Sequence, residues 1–403
     1  MVVNGEKWTI ISKCFHLDRS TSIGHSSQMG PLSWVLLLLA LNGLLMTGLL
    51  VAAPGNGLAN YFLGALSGLI SLRLLIYVLG FAGAYDDHPW ITFAPLDASW
   101  AFGPLLWLYV VTLTRGIPPP RWKLHMVPAA VQLAYSTVAF SFPLPQKLDW
   151  FRGPHLEIVA PAGLYVLLIS CSAYLVAAWF RQLNYQRWLD QRFSNRERWR
   201  LGWIKTILTA FAATLLIAVT AAVIDAAVTP LDYFARTPVI IVSALLAYAL
   251  GLLGWRNSTL NLPAQPAIEA VDPGYTRQLR SRPAAAFADW AQKVEAEGWW
   301  REESLTLSNV AKRLGTSDRT LSRGLSEGGG SNFNDFINGM RVRAVTTALS
   351  DGAKADMLTL ALDNGFSSKA SFNRAFRRHT GTTPSAWRTS AAQNPPNTLA
   401  GAN

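Results

Sequence analysis

Six side chains in one short segment near the C-terminus combine two kinds of chemistry. Ser and Asn side chains can hydrogen-bond base edges, whereas Lys and Arg neutralise phosphate. The segment spaces them at helical intervals opposite Phe372 and Phe376, which would face inward. One helix would therefore bury two rings and present Lys369, Ser371, Asn373, Arg374, Arg377 and Arg378. Such a face is typical of a helix that enters the major groove of DNA.

The residues around this segment predict the element that must position it. Leucine and alanine at 360–362 predict a short preceding helix, which Gly365 would end in a left-handed conformation. Ser367 would cap the next helix. Gly381 and Pro384 would stop that helix. Together these signals predict a helix-turn-helix.

The same layout occurs earlier in LTLSNVAKRLGTSDRTLSRGLSEGGG, residues 305–330. Gly315 and Ser317 take the turn and cap positions, and Leu321 and Leu325 continue the second helix inward. Its outer face carries Arg319 and Arg323. One such pattern is common in unrelated helical hairpins, but its recurrence on both sides of a long predicted connecting helix strengthens the interpretation.

At these residues the chain resembles the AraC/XylS family of bacterial transcription regulators. The resemblance covers roughly the last quarter of the chain, and GFSSKASFNRAFRRHTGTTPSAWR is its most specific element. It implies two helix-turn-helix units joined by a long helix, with both recognition helices in successive major grooves. By position it assigns DNA-binding roles to Arg319, Ser322, Arg323, Lys369, Ser371, Asn373 and Arg374. The glycine run at 328–330 is looser than the family pattern between the first recognition helix and the connecting helix.

The rest of the chain is too apolar for an ordinary soluble protein. Of 403 residues, 51% are hydrophobic and only 15% charged, and the mean hydropathy is +0.22. Runs of about 20 apolar residues match the bilayer core. We expect seven spans, at 31–53, 58–80, 95–114, 124–142, 158–180, 203–228 and 235–254. The first is read as a retained span because it is longer than the apolar part of a signal peptide.

These features predict an all-α chain, a seven-helix transmembrane bundle followed by a cytoplasmic all-α domain with two helix-turn-helix units. The architecture resembles a membrane-integrated subgroup of the AraC/XylS family. Within the tail, an amphipathic helix at 284–297 could pack on the domain or pair two subunits. The predicted parts are an extracytoplasmic tail at 1–30, a sensor domain at 31–254, a Pro-rich linker at 255–283, the DNA-binding domain at 284–390 and a disordered tail at 391–403.

The distribution of basic residues predicts the orientation in the membrane. The loop after the third span has Arg115, Arg121 and Lys123, and the loop after the fifth has six arginines, Arg181, Arg187, Arg192, Arg196, Arg198 and Arg200. Asp86, Asp87 and Asp97 lie in the loop after the second span. The N-terminus should therefore lie outside and the C-terminal domain in the cytoplasm of a bacterium, with the protein in its inner membrane. The arginine-rich loop either sets this topology near anionic lipid or contacts DNA.

Charged residues inside predicted spans are candidate sensing residues. Arg73 and Asp225 could pair and, with Asp97 of the acidic loop, line an outward-opening pocket. Alternatively, Arg73 bonds a neighbouring helix and Asp225 reaches the headgroups. Gly64 and Gly68 permit close helix contact, either between subunits or within the bundle.

The sequence therefore predicts a membrane-embedded one-component transcription regulator that senses an unknown small-molecule or membrane signal. Its expected partners are double-stranded promoter DNA, the lipid bilayer and a second copy in a homodimer. The signatures of common hydrolases, kinases and zinc proteases do not occur, so no catalytic residue, metal or cofactor is predicted. A membrane transporter or enzyme with a regulatory or protein-binding tail is the alternative.

Overall fold

The structure, a computed structural model, describes residues 29–55, 57–195, 199, 201–229, 231, 235–260, 262–265, 283–353 and 355–393. Within these residues the chain is all-helical and forms no β-strand. Two compact units divide it, one made of residues 1–183 and 201–266 and the other of 184–200 and 267–403. Most of the two predicted tails, the linker from 266 to 282, and Arg196, Arg198 and Arg200 lie outside the described residues.

The first unit consists of helices whose apolar composition suits a bilayer. They are α1 (Pro31–Ala52), α2 (Gly57–Phe81), α3 (Phe102–Arg115), α4 (Val127–Phe140), α5 (Ala160–Arg192), α6 (Gly202–Ala227) and α7 (Thr237–Arg256). Among the described residues, five helices are long and apolar enough to cross a membrane: α1, α2, α6, α7 and the helical stretch Leu144–Arg192 that contains α5.

Two of the seven predicted spans form shorter helices than expected. Both α3 and α4 have 14 residues, about 21 Å of helix against a hydrocarbon core of about 30 Å. Both α-helices begin later than predicted, at Phe102 and Val127, because 3-10 helices, Ser99–Ala101 and Trp122–Met126, precede them. Gly116, with a φ of 78°, then ends α3 close to the predicted end. The part of the chain that the structure describes thus has five helices of membrane length, and the count of seven stays a prediction.

The helix α5 is longer than its predicted span at 158–180. It follows a kinked segment, Phe151–Val159, where Gly153 has non-helical dihedrals and Pro154 lies inside the helix. It then runs for 33 residues, about 50 Å. The residues of α5 from Asn184 to Arg192 belong to the second compact unit.

Small residues allow α1, α2 and α7 to pack closely. A Cβ atom added at Gly68 would lie 3.2 Å from Thr47, and one at Gly64 would lie 3.4 Å from Val51. The Ser67 hydroxyl donates to the carbonyl oxygen of Ala247 at 3.0 Å. The glycine pair therefore faces α1, which favours packing within the bundle over pairing of subunits.

The second unit is built around one long helix. Its helices are α8 (Pro283–Ala296), α9 (Leu307–Arg313), α10 (Asp318–Gly329), α11 (Phe333–Ser350), α12 (Met357–Asp363), α13 (Lys369–Thr380) and α14 (Pro384–Gln393). The first half of α11 buries Phe333 and Ile337 in a cluster with α9 and α10. Its second half buries Val345 and Leu349 in a cluster with α12 and α13. Two helix pairs, α9–α10 and α12–α13, therefore share α11 as their common support.

The helix α8 packs on this unit, as one of the two sequence interpretations expected. Val294 is buried in the first cluster, and Phe287 and Trp290 pack against it. The glycine run makes room for this contact, because a Cβ atom at Gly329 would lie 2.6 Å from the ring of Phe287. Gly330 then ends α10 in a left-handed conformation.

Candidate DNA-binding surface

The start of α13 is fixed by a serine cap, one residue later than expected. Ser368, not Ser367, adopts the extended cap conformation, and its hydroxyl oxygen accepts a hydrogen bond from the Ser371 amide at 3.2 Å. The Ser371 hydroxyl donates back to the Ser368 carbonyl oxygen at 2.7 Å. The prediction of Ser367 was wrong because two adjacent serines offer equivalent hydroxyls, and only the backbone decides which one caps.

The two faces of α13 match the expected division. Phe372 and Phe376 are fully buried, with ring centroids 5.4 Å apart. On the other side Ser371 is half-buried, and Lys369, Asn373, Arg374, Arg377 and Arg378 are exposed. The buried rings hold the helix against α11, so the cations and the amide lie in solvent on a supported surface.

An acidic residue that the motif did not reveal ties α13 to α11. Asp335 lies 3.1 Å from Arg378 Nε and 3.2 Å from His379 Nε2. Of the candidate DNA-binding cations on α13, Arg378 is thus already engaged with a carboxylate. The position of Arg378 in the sequence does not indicate this ion pair, because most of α11, all of α12 and two turns separate it from Asp335.

The first helix pair has the predicted turn and cap. Gly315 has a φ of 68°, and the Ser317 hydroxyl oxygen accepts from the Thr320 amide at 3.1 Å. Leu321 and Leu325 are buried. Of the three candidate DNA-binding residues on α10, Ser322 is half-buried and Arg319 and Arg323 are exposed, with Arg323 Nε 3.1 Å from Glu327.

A buried arginine joins the two halves of the unit. Arg341 is 1% exposed; its Nε donates to the Trp300 carbonyl oxygen and its Nη2 to that of Glu302, both at 2.7 Å. Its guanidinium carbon lies 5.7 Å from the centre of the Phe366 ring. Burial lowers the pKa of Arg341 to about 10, so the guanidinium remains charged at neutral pH. Sequence reasoning missed this residue because nothing in the pattern separates it from the exposed Arg343 two positions later.

The candidate sensing residues of the first unit form two separate ion pairs. Arg73 Nε lies 3.8 Å from the Asp97 carboxylate. Asp225 accepts from the Leu231 amide at 2.7 Å and from Arg236 Nη2 at 3.1 Å. The structure therefore brings Arg73 together with the acidic loop, as one alternative expected, but it does not pair Arg73 with Asp225.

Comparison with known proteins identifies the second unit. Residues 310–390 match the helix-turn-helix domain family. An uncharacterized HTH-type transcriptional regulator of Staphylococcus aureus strain COL is 36% identical over 86 residues, 21% of this chain and 11% of that protein. The probable transcription factor PqrA of Proteus vulgaris is 30% identical over 88 residues, 22% of this chain and 71% of that protein. The chain therefore spans about a tenth of the length of the staphylococcal relatives. No solved structure matches.

Proposed function

Since the chain belongs to the AraC-type helix-turn-helix transcription regulators, we propose that it is a membrane-embedded, one-component member. Its cytoplasmic domain binds promoter DNA sequence-specifically, and its transmembrane part senses an unknown signal. The domain match and the regulator relatives support a DNA-binding regulator, a class that is typically non-enzymatic.

One observation carries the DNA-binding part of the proposal. Two helix pairs pack on α11, and the second helix of each pair buries large apolar residues while exposing cations. A rigid support for two such helices is what reading of two successive major grooves requires. In this proposal each pair is one helix-turn-helix unit, with α10 and α13 as the recognition helices.

The exposed side chains divide the work between selectivity and affinity. In the proposal Arg319 and Ser322 of α10 and Lys369, Asn373 and Arg374 of α13 contact base edges. The other candidates, Arg323, Ser371, Arg377 and Arg378, contact the sugar-phosphate backbone of the DNA. The Ser371 hydroxyl donates to the Ser368 carbonyl oxygen and would exchange this bond for one to a phosphate oxygen. Phosphate contacts make the affinity fall steeply with salt.

The apolar helices support placement in a bacterial inner membrane. We propose that the N-terminus lies outside and the second unit inside. Both five spans and seven give this result, because α3 and α4 add either two crossings or none. Cysteines introduced at Asp87 and Arg187, in a chain without Cys14 and Cys171, test the orientation. A membrane-impermeant maleimide should label whole cells at 87 only, and labelling at 187 instead would reverse the topology.

For sensing, the ion pair between Arg73 and Asp97 is the candidate that the geometry favours. It joins α2 to the loop before α3, so a ligand or membrane change that separates the charges would move two elements. Asp225 is the second candidate through its contact with Arg236. If Arg73→Gln, Asp97→Asn and Asp225→Asn all leave the promoter response unchanged, the ion pairs are structural only.

The experiment that tests DNA binding is selection of bound sequences from genomic DNA by the full-length protein in lipid nanodiscs. Two half-elements about one helical turn apart are expected. Lys369→Ala should weaken binding to the selected site more than Arg256→Ala, a matched loss of one exposed cation in α7. Salt-sensitive binding without any preferred sequence would instead favour a transporter or membrane enzyme with a regulatory tail. A homodimer, also proposed, would appear as two protein copies per selected site.

A further inference from the structure

The cytoplasmic end of α5 and the residues after it belong to the compact unit that binds DNA in the proposed function. We infer that residues 192–195, the docking segment, form an intramolecular brace that holds the DNA-binding domain in its binding-competent arrangement. Movement of α5 would then change DNA affinity directly. The inference rests on the proposed function and names the route by which the membrane part would control it.

The docking segment is held by two parts of the domain, the segment before α9 and the start of α11. The Ser194 amide and hydroxyl both donate to the Leu305 carbonyl oxygen, at 3.2 and 2.8 Å. The Asn334 side-chain amide donates to the carbonyl oxygens of Phe193 and Ser194, at 3.1 and 2.7 Å. Ser194 is 2% exposed, and its hydrogen-bonding groups are satisfied by these contacts. A buried serine with its hydrogen-bonding groups satisfied makes a specific contact, because undocking would break all of these bonds together.

An ion pair joins the docking segment to the first recognition helix. Arg192 Nη1 lies 2.6 Å from the carboxylate of Asp318, the first residue of α10. The Ser308 hydroxyl of α9 also donates to this carboxylate. The Asp318 carboxylate therefore binds both Arg192 and α9. Loss of Arg192 would remove one of the contacts that fix the start of α10.

The same segment reaches the junction between the two helix pairs. The buried Arg341 donates from Nη2 to the Ser194 hydroxyl at 3.4 Å. Ser194 and Asn195 line a cleft of about 70 Å³ together with Arg374 and Arg378 of α13. One four-residue segment thus contacts the first pair and α11 and borders the second recognition helix.

The docking segment supports the DNA-facing residues without covering them. Arg319 and Arg323 of α10 and Lys369 and Asn373 of α13 are exposed with the segment in place. A contact that blocked DNA would bury these side chains. The arrangement therefore fits a brace and not an inhibitory cover.

Helix length provides the physical route for the signal. The 33 residues of α5 measure about 50 Å, more than the roughly 30 Å of a bilayer core, so the helix continues beyond the core without a break. A continuous helix passes a rotation or translation from one end to the other, whereas a Pro-rich linker mainly keeps two domains at a limited distance.

The experiment compares DNA affinity among full-length variants in nanodiscs, with the site that the wild type selects. Arg192→Ala and Asn334→Ala should each lower the affinity about tenfold, within the range of coupling between linked sites. Arg187→Ala is the matched control, since it removes an exposed arginine from the same helix; it should change affinity less than twofold.

A crosslink separates bracing from general destabilisation. Phe193 and Thr306 form an antiparallel bridge pair, and the Cα separation of such pairs, about 4.5 to 5.5 Å, suits a disulfide. In an Arg192→Ala chain without Cys14 and Cys171, oxidation of Phe193→Cys with Thr306→Cys should restore wild-type affinity. A domain that had merely lost stability at α10 would not recover.

Three results would overturn the inference. Arg192→Ala and Asn334→Ala could bind DNA as tightly as the wild type does. The cysteine pair could fail to crosslink in membranes, or the crosslinked chain could lose DNA binding, which would make the segment a cover. If the cysteines crosslink but the wild type selects no sequence, the proposed function fails together with the bracing role, and the docking contact alone remains.

Discussion

The two helix pairs have the same local layout but are held in place differently. In each pair a left-handed glycine ends the first helix, a serine caps the second, and two large apolar residues one turn apart anchor it. These are Leu321 and Leu325 in α10, and Phe372 and Phe376 in α13. The same local signals, a glycine, a serine cap and two apolar residues, therefore produce a similar helix pair twice on α11.

The supports around these pairs differ in kind. The second pair is closed by an aromatic cluster, and Arg378 and His379 bond Asp335 of α11. The first pair packs on α8 at Gly329 and forms an ion pair with the docking segment through Asp318. The second pair is thus fixed to α11 itself, whereas the first packs on α11 and in addition on segments outside the pairs. We therefore expect the second pair to anchor the domain and the first to respond to the membrane part.

The largest expected effect tests the anchor. Phe376→Ala removes a fully buried ring that packs 5.4 Å from Phe372 and 6.0 Å from Trp387, measured between ring centroids. Loss of such a ring costs about 3 to 5 kcal/mol. Hydrogen–deuterium exchange of the full chain should show faster exchange in α12 and α13 than in α9 and α10. Arg377→Ala is the control, and uniform acceleration across both pairs would show that they do not differ in support.

The next effect tests the support of the first pair. Gly329→Ala would place a methyl group 2.6 Å from the Phe287 ring, and such overpacking costs about 1 to 3 kcal/mol. Exchange should accelerate in α8 and α10 and stay unchanged in α13. The double variant with Phe287→Leu should recover part of the loss, because a smaller side chain leaves room for the methyl group. Without any recovery, contact with Phe287 is not the reason for glycine here.

A smaller effect sharpens the roles of two neighbouring arginines. Arg378 is paired with Asp335, whereas Arg377 points into solvent beside it. If Arg377 contacts phosphate, Arg377→Ala should reduce the slope of log affinity against log salt by about 0.9. Arg378→Ala should change this slope less, because Asp335 already neutralises its charge. Equal slopes would mean that Arg378 leaves Asp335 when DNA binds.

The smallest effect concerns the acidic cap of the second pair. The Leu358 amide donates to the Asp356 carboxylate at 2.9 Å and, with neighbouring amides, lowers the pKa of Asp356. The contribution of this cap to stability is therefore present above the ordinary aspartate pKa and is lost as the pH falls through the lowered value. Exchange of α12 should accelerate in that acidic window in the wild type and lose this dependence in Asp356→Asn. An identical profile in both would assign the acid response to another group.

Much of the candidate site was predictable because its signals are local. Gly315 and Gly365 have the predicted left-handed conformation, Gly381 ends α13 as predicted, and Ser317 caps α10. The burial of Phe372 and Phe376 follows from helical spacing alone. The cap at Ser368 differed by one residue, since neighbouring serines carry the same local signal. The membrane segments were predictable as apolar runs, but the α-helices α3 and α4 begin later than predicted, after the 3-10 helices Ser99–Ala101 and Trp122–Met126.

Contacts between distant residues were beyond the sequence. Arg192 was read as one basic residue of a topological loop, yet it reaches Asp318 across 126 positions. Nothing in the sequence distinguishes Arg341 from other cations on a helix. In the structure it is buried and donates hydrogen bonds to the carbonyl oxygens of Trp300 and Glu302. Arg73 forms an ion pair with Asp97, whereas the sequence had suggested Asp225 as its partner.

The sequence by itself determined most of the helices, the cap of α10, the apolar faces and the family to which the second unit belongs. These depend on spacing and on interactions within a few residues, which a single chain displays directly. Only the tertiary structure decided which charges pair, which arginine is buried and that the end of α5, from Asn184, joins the second unit. Those outcomes depend on which surfaces meet in space, because a charge takes the partner that folding brings near it and not the one that lies near it in sequence.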